Sequence, residues 1–513
     1  MTDQREAIRS NAKYLRNVRP IDPEEICEYV EGNPHPAVVR QHLREDAAIL
    51  GLIERDDGTF VPVDDEPVRP LRGPVERFPA AYERRLEDLL ADWYGPNWHD
   101  GASGDLLRST IRRFKSQYLD GRPVEYDEDV AAGYAIYHLP GYYAAVQYAL
   151  DDLADRGLLD RDLRVLDVGA GVGGPALGLC DYLPDDALLE YHAVEPSAAA
   201  DVLEDLLAET GRNVHTTIHR TTAEAFASRE PVGDDDGERR SADGFDLVLC
   251  CNVLSELDDP VSVARSYLET LAPDGTFLAM APADKNTSVG LREIERELED
   301  ERLRERANVA VDATAGDAAA RRRGEVTVYG PTVRLWPGER PSDRGWSFDV
   351  RPDLAVPAFQ RRLDDAAPPD DEDHTPGEFV NVDVQFSYSQ LRLDGRRRIE
   401  TALETDEWAK MAEMERHVTN RIDLVAAKLS RSLADDETGG RGGRSNPLFK
   451  ISDGSEAVDH YAVVTTETAL NRPLLEADYG DLCSFEGILA LWNDDEAAYN
   501  LVVDEETIVD RIG

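Results

Sequence analysis

The chain has 513 residues, enough for two to four domains with their own cores. Aspartate and glutamate number 104 against 56 lysines and arginines, a formal net charge of −48, and only six of the basic residues are lysines. This excess runs through the whole chain, which favours a halophilic protein in a salt-filled cytoplasm over an acidic tail built for one basic partner. Because the sequence has no apolar run of 18 residues and its first residues are polar, we expect a soluble, cytoplasmic protein.

Residues 1–68 are predicted to form a winged-helix domain. A helical stripe has spacings of four, four and three residues: Val39, Leu43, Ala47 and Leu50. Gly51 stops this helix, and Asp56-Asp57-Gly58 is a turn signal between two short apolar runs, which is typical of a β-hairpin. Because no dense basic face is evident, nucleic-acid binding, protein docking and a structural capping role stay open.

Residues 69–160 are predicted to be a helical lead-in to the next domain. One apolar stripe has the spacing of a helix core: Leu107, Ile111, Phe114 and Tyr118. An aromatic-rich segment, 134–146, is expected to be broken at Pro140-Gly141 before a helix over 142–155. Because the segment directly precedes the first strand of the next domain, Tyr137 or His138 can line a cofactor pocket there. His138 is then either a general base or a packed or capping side chain.

Residues 161–400 are predicted to be a Rossmann-like domain, and its first strand carries the most informative motif. Arg164 to Val168 has the pattern of a buried β-strand and is followed by Gly169-Ala170-Gly171-Val172-Gly173-Gly174. Glycines let the backbone turn sharply and approach a ligand closely, and the helix that follows presents free N–H groups at its N-terminus. The glycine spacing alone is a weak signal, because nucleotide-binding dehydrogenases use a near relative of it.

Four further strand patterns follow in this domain. They cover 189–195, 214–218, 245–251 and 275–281. The first ends in Glu195, which is placed to accept hydrogen bonds from the two hydroxyls of a ribose. The second leads to Thr222-Ala223-Glu224, and the third to Asn252-Val253.

Residues 401–513 are predicted to be a separate β-rich domain. Strand-like runs are separated by turns rich in glycine and aspartate: Ile422–Leu429, His460–Val464, Ile488–Trp492 and Tyr499–Val503. Short strands at this spacing favour a small, OB-like β-barrel.

The order of strand, glycine loop, helix, acidic strand end and polar tip resembles the class I S-adenosylmethionine (SAM) methyltransferases. Gly174 also satisfies the glycine spacing of a Rossmann dehydrogenase, but the motif D-V-G-A-G favours a SAM-binding site. The resemblance implies an α/β fold with SAM as cofactor. The implied cofactor-binding residues are Asp167, Gly169, Ala170, Gly171 and Gly173 for the methionine portion, Glu195 for the ribose, Ala223 and Glu224 for the adenine, Cys251, Asn252 and Val253 at the transfer site, and Tyr137 as a wall.

A narrower resemblance covers roughly residues 80–430. The block Tyr137 to Val146, Y-H-L-P-G-Y-Y-A-A-V, is similar to Y-R-L-P-A-T-Y-A-A-V of the methyltransferase-like assembly factors of the mitochondrial-type small ribosomal subunit. Leu254-Ser255-Glu256-Leu257 resembles the L-S-E-L of that family, and Gln385-Phe386-Ser387-Tyr388 resembles its F-S-Y. These blocks occur in the family's order, which implies the small ribosomal subunit or its rRNA as partner.

The chain departs from that family at two places. Many members hold an iron–sulfur cluster or another metal with cysteines, but Thr332, Trp336 and Ser347 occupy the corresponding positions here. None of these side chains is a thiolate ligand, so we expect neither an iron–sulfur cluster nor another bound metal. Ala281-Pro282 stands where the family tends to have Glu-Pro-Gly-Thr, which puts catalysis in doubt.

Two other functions stay open. The first is a non-catalytic ribosome or rRNA binder, for which the best phosphate contacts are Arg392, Arg396, Arg397 and Arg398. The second is a small-molecule or protein methyltransferase with a winged-helix dimerisation domain. No catalytic residue is identified, because methyl transfer from a sulfonium depends mainly on alignment and Asn252 is not part of an N-P-P-Y motif.

Overall fold

The computed structural model describes residues 2–119, 121–122, 124–228, 244–303, 322–338, 345–369, 371, 374–435 and 446–512. The α-helices of these ranges are α1 (Thr2–Leu15), α2 (Pro23–Tyr29), α3 (Pro36–Glu45), α4 (Ala47–Leu50), α5 (Ala80–Tyr94), α6 (Gly101–Leu119), α7 (Glu128–Asp155), α8 (Gly174–Tyr182), α9 (Ala199–Leu207), α10 (Ala223–Ala227), α11 (Pro260–Leu268), α12 (Lys285–Leu298), α13 (Ala358–Asp365) and α14 (Arg472–Glu476).

The strands are β1 (Leu52–Glu54), β2 (Phe60–Pro62), β3 (Asp162–Val168), β4 (Leu188–Val194), β5 (Val214–His219), β6 (Phe245–Cys251), β7 (Leu271–Pro282), β8 (Thr327–Gly330), β9 (Asp349–Arg351), β10 (Val384–Arg392), β11 (Arg421–Lys428), β12 (Leu448–Ser452), β13 (His460–Val464), β14 (Leu482–Asn493), β15 (Ala498–Val503) and β16 (Ile508–Arg511). The chain forms two compact units, the first of residues 1–249 and 352–384, the second of residues 250–351 and 385–513.

The N-terminal part of the first unit contains the predicted helices and hairpin. Strands β1 and β2 pair antiparallel, and Gly51 ends α4 in the left-handed conformation, as predicted. The single helix predicted through Val39 and Leu50 is wrong, because the helix breaks at Asp46 between α3 and α4. The Asp46 carboxylate is buried and accepts hydrogen bonds from Arg5 and Arg9 of α1. That these elements act as a winged helix remains a prediction.

The hairpin of this region is docked on the rest of the first unit through Asn213, immediately before β5. The Asn213 side-chain oxygen accepts from the Glu54 N–H at 2.8 Å, and its Nδ2 donates to the Glu54 carbonyl at 3.3 Å. The amide therefore pairs with the strand backbone as a neighbouring strand would. Beside it, Ile53 and Val61 pack on Leu188 at the start of β4. The hairpin is thus a packing element of the first unit.

The first unit contains the parallel sheet of the predicted Rossmann-like domain. Its strand order is β5–β4–β3–β6, and every neighbouring pair in this order is parallel. The side chains of β3 from Val165 to Val168 are buried, which matches the continuous apolar pattern expected of a strand covered on both faces. The carboxyl ends of β3 and β4 therefore lie side by side, with the glycine loop following one and Glu195 the other.

Helix α7 runs without a break through Pro140, so the predicted start of a helix at residue 142 is wrong. A proline inside a helix removes the N–H that would bond the carbonyl four residues earlier, here that of Ile136. Gln360 of α13 replaces this donor, because its Nε2 lies 2.8 Å from the Ile136 oxygen. The Gln360 Oε1 accepts from the Asn381 N–H at 3.1 Å, and the side chain is fully buried.

We predict that Gln360→Leu lowers the free energy of unfolding by about 1–5 kcal/mol. The substitution leaves the buried Ile136 carbonyl without this partner, at a cost of about 1–3 kcal/mol, and the part-buried Asn381 N–H without its partner, at a smaller cost. Chemical denaturation of both variants measures the loss. In a Pro140→Ala background residue 140 regains an N–H for Ile136, so the same substitution should cost less there. An equal cost in both backgrounds would contradict the role assigned to Gln360.

The second unit contains an antiparallel segment and a closed barrel. In the segment β7 pairs with β10, and β10 pairs with β8 and β9. The barrel strands follow the order β11–β12–β13–β15–β14 and close through pairing of β11 with β14, while β16 adds to β14. Strands β13 and β15 are parallel, and α14 lies between β13 and β14 along the chain. This five-stranded topology confirms the predicted small β-barrel, although β12 and β16 were not predicted, and its OB-like character remains a prediction.

No helix of the described ranges is long and apolar enough to cross a membrane.

Candidate functional site

The glycine loop after β3 has the backbone conformation that the sequence predicts. Gly169, Gly171 and Gly173 have φ values of 68°, 53° and 93°, in the left-handed region that favours glycine. A Cβ at Gly173 would lie 2.6 Å from Leu203 Cδ1, and one at Gly174 would lie 2.8 Å from Tyr142 Cβ. A Cβ at Gly171 would meet only the Gly169 oxygen, at 4.0 Å. Gly173 and Gly174 are therefore required by packing, whereas Gly171 faces open space.

Glu195 joins this loop to the end of β4. Its Oε2 accepts from the Gly171 N–H at 2.9 Å, and its Oε1 accepts from the Ser197 N–H at 2.9 Å and the Ser197 hydroxyl at 2.6 Å. The residue is 7% exposed. The carboxylate therefore positions the loop, and it stands where ribose recognition was predicted. Ser197 was not singled out from the sequence, although a serine two residues after a carboxylate is a signal for such a local turn.

Asp167, assigned to the methionine portion of the cofactor, lies beneath the loop and is completely buried. Its Oδ2 accepts from the Tyr191 hydroxyl at 2.6 Å, while its Oδ1 has no hydrogen-bond partner among the described residues. Burial raises the pKa of Asp167 to about 7, and the nearby Glu195 carboxylate adds to the rise. A buried acceptor without a partner is costly, so a cationic group reaching this oxygen would be stabilised.

Tyr137 and His138 belong to a group of six rings from α6, α7 and the segment before α7, which we call the aromatic cluster: Phe114, Tyr126, Tyr134, Tyr137, His138 and Tyr142. The Tyr137 hydroxyl accepts from Lys115 Nζ at 2.9 Å. His138 stacks on Tyr142 at 5.3 Å between ring centroids. Desolvation and the nearby Lys115 lower the pKa of His138 to about 3, which favours the packed side chain over the general base.

The other predicted site residues lie at the ends of neighbouring strands. The Thr222 hydroxyl caps α10 by accepting a hydrogen bond from the Ala225 N–H. In the first turn of this helix Ala223 is buried and Glu224 is exposed. Cys251, Asn252 and Val253 end and follow β6 in the second unit, where Cys251 is buried. Asn252 has a φ of 62°, and its N–H donates to the Met280 carbonyl at 2.9 Å. Such left-handed residues occur at functional sites.

The structure thus brings together three predicted elements of the site, namely Asp167, the loop 169–173 and Glu195. Ala223 and Glu224 lie at the start of α10, which follows β5. Tyr191, which binds the Asp167 carboxylate, was not predicted to be part of the site. Its position on β4, one strand away and directed at the same face, could have suggested it.

Comparisons with known proteins agree with this geometry. Residues 166–277 match the family model described as "Methyltransferase domain". Residues 5–56 and 412–512 match models described as the N-terminal and C-terminal domains of "Domain of unknown function (DUF8157)". Residues 166–277 of the chain are therefore similar to a methyltransferase domain. The loop with an open face at Gly171, the Glu195 carboxylate and the orphaned Asp167 oxygen fit SAM as the cofactor.

The solved structures that resemble this chain align with only part of it. The YcgJ protein of Bacillus subtilis is 28% identical over 23% of this chain and 44% of its own, with a TM-score of 0.18. An S-adenosylmethionine-dependent methyltransferase of Clostridium acetobutylicum is 15% identical over 31% of this chain and 55% of its own, with a TM-score of 0.20. The chain thus spans about half the length of these proteins. No curated protein matches it.

The positions of the missing cysteines are occupied by a hydrogen-bonded polar network in the second unit. The Thr332 hydroxyl donates to Glu295, Trp336 Nε1 donates to Asp453 at 2.7 Å, and the Ser347 hydroxyl lies 2.7 Å from that of Tyr479. Thr332 and Ser347 are buried. The three side chains are therefore already satisfied by protein partners and supply no thiolate.

We predict that the purified protein is colourless and has no stoichiometric iron or zinc. The reason is that hydroxyl and indole groups at positions 332, 336 and 347 do not replace thiolate ligands. Elemental analysis by plasma mass spectrometry, with an absorption spectrum, measures both. One cluster or one zinc ion per chain would contradict the prediction.

The arginine run predicted as phosphate contacts is largely internal to the second unit. Arg392 is 1% exposed and bonds to Asp394 at 2.6 Å. The side chain of Arg397 is 8% exposed and bonds to Glu299, and Arg398 donates to the Gly480 carbonyl. Only Arg396 of this run is well exposed, and its Nε lies 3.6 Å from the Asp394 carboxylate. The prediction of a phosphate-binding cluster is therefore wrong for Arg392 and Arg397, whose charges are neutralised in the fold.

We predict that Glu195→Ala lowers both SAM affinity and thermal stability. The substitution removes the acceptor for Gly171 and Ser197 together with the predicted ribose contacts, so affinity should fall roughly 10- to 100-fold. Calorimetric titration with SAM and a melting curve measure the two effects. The control Ser197→Ala removes the hydroxyl that donates to Glu195 and accepts from the Ala199 N–H, and it should lower the melting temperature slightly while SAM affinity is retained. If Glu195→Ala binds SAM as tightly as wild type does, Glu195 only positions the loop 169–173 and does not contact the cofactor.

Proposed function

We propose that the protein is a SAM-dependent methyltransferase that acts on rRNA of the small ribosomal subunit, or during assembly of that subunit. The observation that carries the enzymatic part is the glycine loop held by the Glu195–Gly171 hydrogen bond, with an open face at Gly171. These groups are of the type that a class I methyltransferase uses to bind its cofactor.

The ribosomal part of the proposal is supported by the sequence blocks that resemble the assembly factors. Residues 137–146 lie in α7, which packs against the first residues of α8 directly after the glycine loop. Residues 254–257 follow the tip of β6, and residues 385–388 lie in β10. Two of the blocks therefore lie in a helix and a strand, and the third forms a short turn directly after β6.

Methyl transfer from SAM depends on the alignment of the methyl group with the acceptor atom rather than on a strong acid or base. SAM supplies an activated methyl group on a sulfonium, which is displaced in line by the acceptor atom. The backbone of residues 169–173 and the Glu195 carboxylate would hold the cofactor, and Asp167 would meet its ammonium group. The buried end of β6 and the left-handed Asn252 fix the polypeptide at the predicted transfer site.

The decisive experiment compares small-subunit rRNA by mass spectrometry in a parent strain, a deletion strain and deletion strains complemented with wild type or Gly171→Asp. A methyl group lost on deletion and restored only by wild type supports methylation of rRNA. A subunit-assembly defect that both versions repair, with every methyl group retained, would instead indicate a non-catalytic assembly factor. If neither rRNA nor assembly changes, the ribosomal part of the proposal is wrong.

A further inference from the structure

The aromatic cluster of the first unit is a group of closely stacked rings at the protein surface. The ring centroid of Tyr134 lies 4.5 Å from that of His138 and 5.6 Å from that of Tyr126, and the stacked rings of His138 and Tyr142 are nearly parallel, with an interplanar angle of 11°. Phe114 is buried at 3% exposure and forms the floor, while the other five rings are partly exposed. Rings stacked in this way leave faces and edges on which another planar ring can pack.

The cluster adjoins both halves of the cofactor site. At one end, the Tyr142 Cβ is so close to Gly174 that only glycine fits there, directly after the glycine loop. At the other end, the Tyr126 carbonyl accepts from the Ala198 N–H at 3.4 Å, three residues after Glu195. A group that packs on Tyr126 or Tyr134 is therefore held beside the glycine loop and Glu195.

The helix beside the cluster carries positive charge in a strongly acidic chain. Helix α6 contains four basic residues, Arg108, Arg112, Arg113 and Lys115, against one acidic residue, Asp105, whereas the chain has a net charge of −48. Arg108 and Arg112 pair with carboxylates, but Arg113 is exposed. Lys115 Nζ lies 4.4 Å from the centroid of the Tyr137 ring, so positive charge stands on the α6 side of the cluster, whereas Glu125, Asp127, Glu128 and Asp129 flank Tyr126 on its other side along the chain.

We propose that the aromatic cluster binds an unpaired nucleobase of RNA by stacking on Tyr134 and Tyr126, with Lys115 on the α6 side of the cluster for a neighbouring phosphate. The inference rests on the proposed function and names the chemistry of its acceptor, a single-stranded rRNA base. Stacking of bases on aromatic side chains and cationic contacts to the backbone are the two interactions that bind unpaired RNA. His138 is uncharged at neutral pH because its pKa is lowered to about 3, so it supports the stack as a neutral ring.

The proposed RNA site depends on Tyr134, whereas the predicted SAM pocket depends on Tyr137. Tyr137, predicted from the sequence to line the SAM pocket, is the ring that Lys115 covers and bonds. Tyr134 and Tyr126 keep partly exposed side chains on the part of the cluster near Ala198. A substitution at Tyr134 should therefore affect RNA and leave SAM affinity unchanged.

The test uses the full chain and a fluorescein-labelled single-stranded RNA of ten nucleotides, measured by fluorescence anisotropy. We expect Tyr134→Leu to weaken binding roughly 5- to 150-fold, the range for loss of one stacked base, and Tyr134→Phe to stay within about threefold of wild type. Tyr14→Leu is the matched control, because Tyr14 is 74% exposed on α1 outside the cluster. An oligomer with the same backbone but abasic sugars should bind weakly to every version.

Calorimetry with SAM on the same variants separates the two proposals. Equal RNA affinity in wild type and Tyr134→Leu, or equal binding of the abasic oligomer, would overturn the stacking site while the methyltransferase proposal stands. A loss of SAM affinity in Tyr134→Leu without a change in RNA affinity would make the cluster a cofactor wall. If wild type binds no SAM, the proposed function itself fails. Should Tyr134→Leu not fold, Tyr126→Leu decides, since Tyr126 precedes the helix.

Discussion

Gly171→Asp should abolish measurable SAM binding while the protein remains folded. A side chain at this position meets only the Gly169 oxygen at 4.0 Å, so the fold has room for it. The φ of 53° is one that aspartate tolerates better than most residues. The new carboxylate would occupy the open face of the loop, next to Glu195, where the ligand must approach the backbone. We expect at least about a 100-fold loss of affinity, about 2.7 kcal/mol.

Calorimetric titration with SAM in concentrated KCl measures this loss, and a melting curve reports the fold. Gly211→Asp is the matched control, because it introduces the same charge at a turn before β5 where nothing lies within 4 Å of an added Cβ. The control should bind SAM as wild type does. Equal SAM affinity in Gly171→Asp and wild type would remove the loop from the cofactor site.

Gly178→Val should destabilise the first unit so strongly that little folded protein is recovered. Gly178 lies in α8 where that helix touches α7, and an added Cβ would overlap the Tyr143 carbonyl oxygen and Val146 Cγ1. The carbonyl belongs to a buried helix and cannot rotate away as a side-chain end could. Overpacking of a well-packed core costs about 1–3 kcal/mol and more where backbone must move, so Gly178→Ala should already lose about that amount.

Thermal melts of the two Gly178 variants measure the effect, and Gly290→Ala provides the control. Gly290 also lies within a helix, α12, but nothing lies within 4 Å of its added Cβ. Alanine there should raise stability by up to about 1 kcal/mol, because it has the higher helix propensity. If Gly178→Ala melts as wild type does, the close contact between α7 and α8 is not a constraint on this position.

The local features of the site could be predicted from the sequence because they depend on neighbouring residues. The buried run of β3 and the left-handed glycines follow from strand burial and from backbone sterics. The barrel strands β11, β13, β14 and β15 were visible as short apolar runs between turns. Alternating strands and helices predict a parallel sheet, whereas its order β5–β4–β3–β6 was not predicted.

The errors concern residues whose conformation is set by distant partners. Pro140 was expected to break its helix, but Gln360, which lies 224 positions after Ile136, supplies the missing hydrogen bond to the Ile136 carbonyl. Asp46 ends α3 because Arg5 and Arg9 bind it from another helix. The arginine run near residue 397 suggested a phosphate surface, because the carboxylates that pair with it cannot be recognised from the sequence alone.

The hydrogen bond between Gln360 and the Ile136 carbonyl also affects when α7 can be completed during synthesis of the chain. At a synthesis rate of about 5–20 residues per second, the 224 residues between them take roughly 10–45 s to emerge from the ribosome. Until then α7 has its proline and no external donor for that carbonyl. The first 249 residues therefore leave the ribosome before their own unit can be completed, and we expect a nascent chain stopped before residue 352 to be cut by proteases within α7.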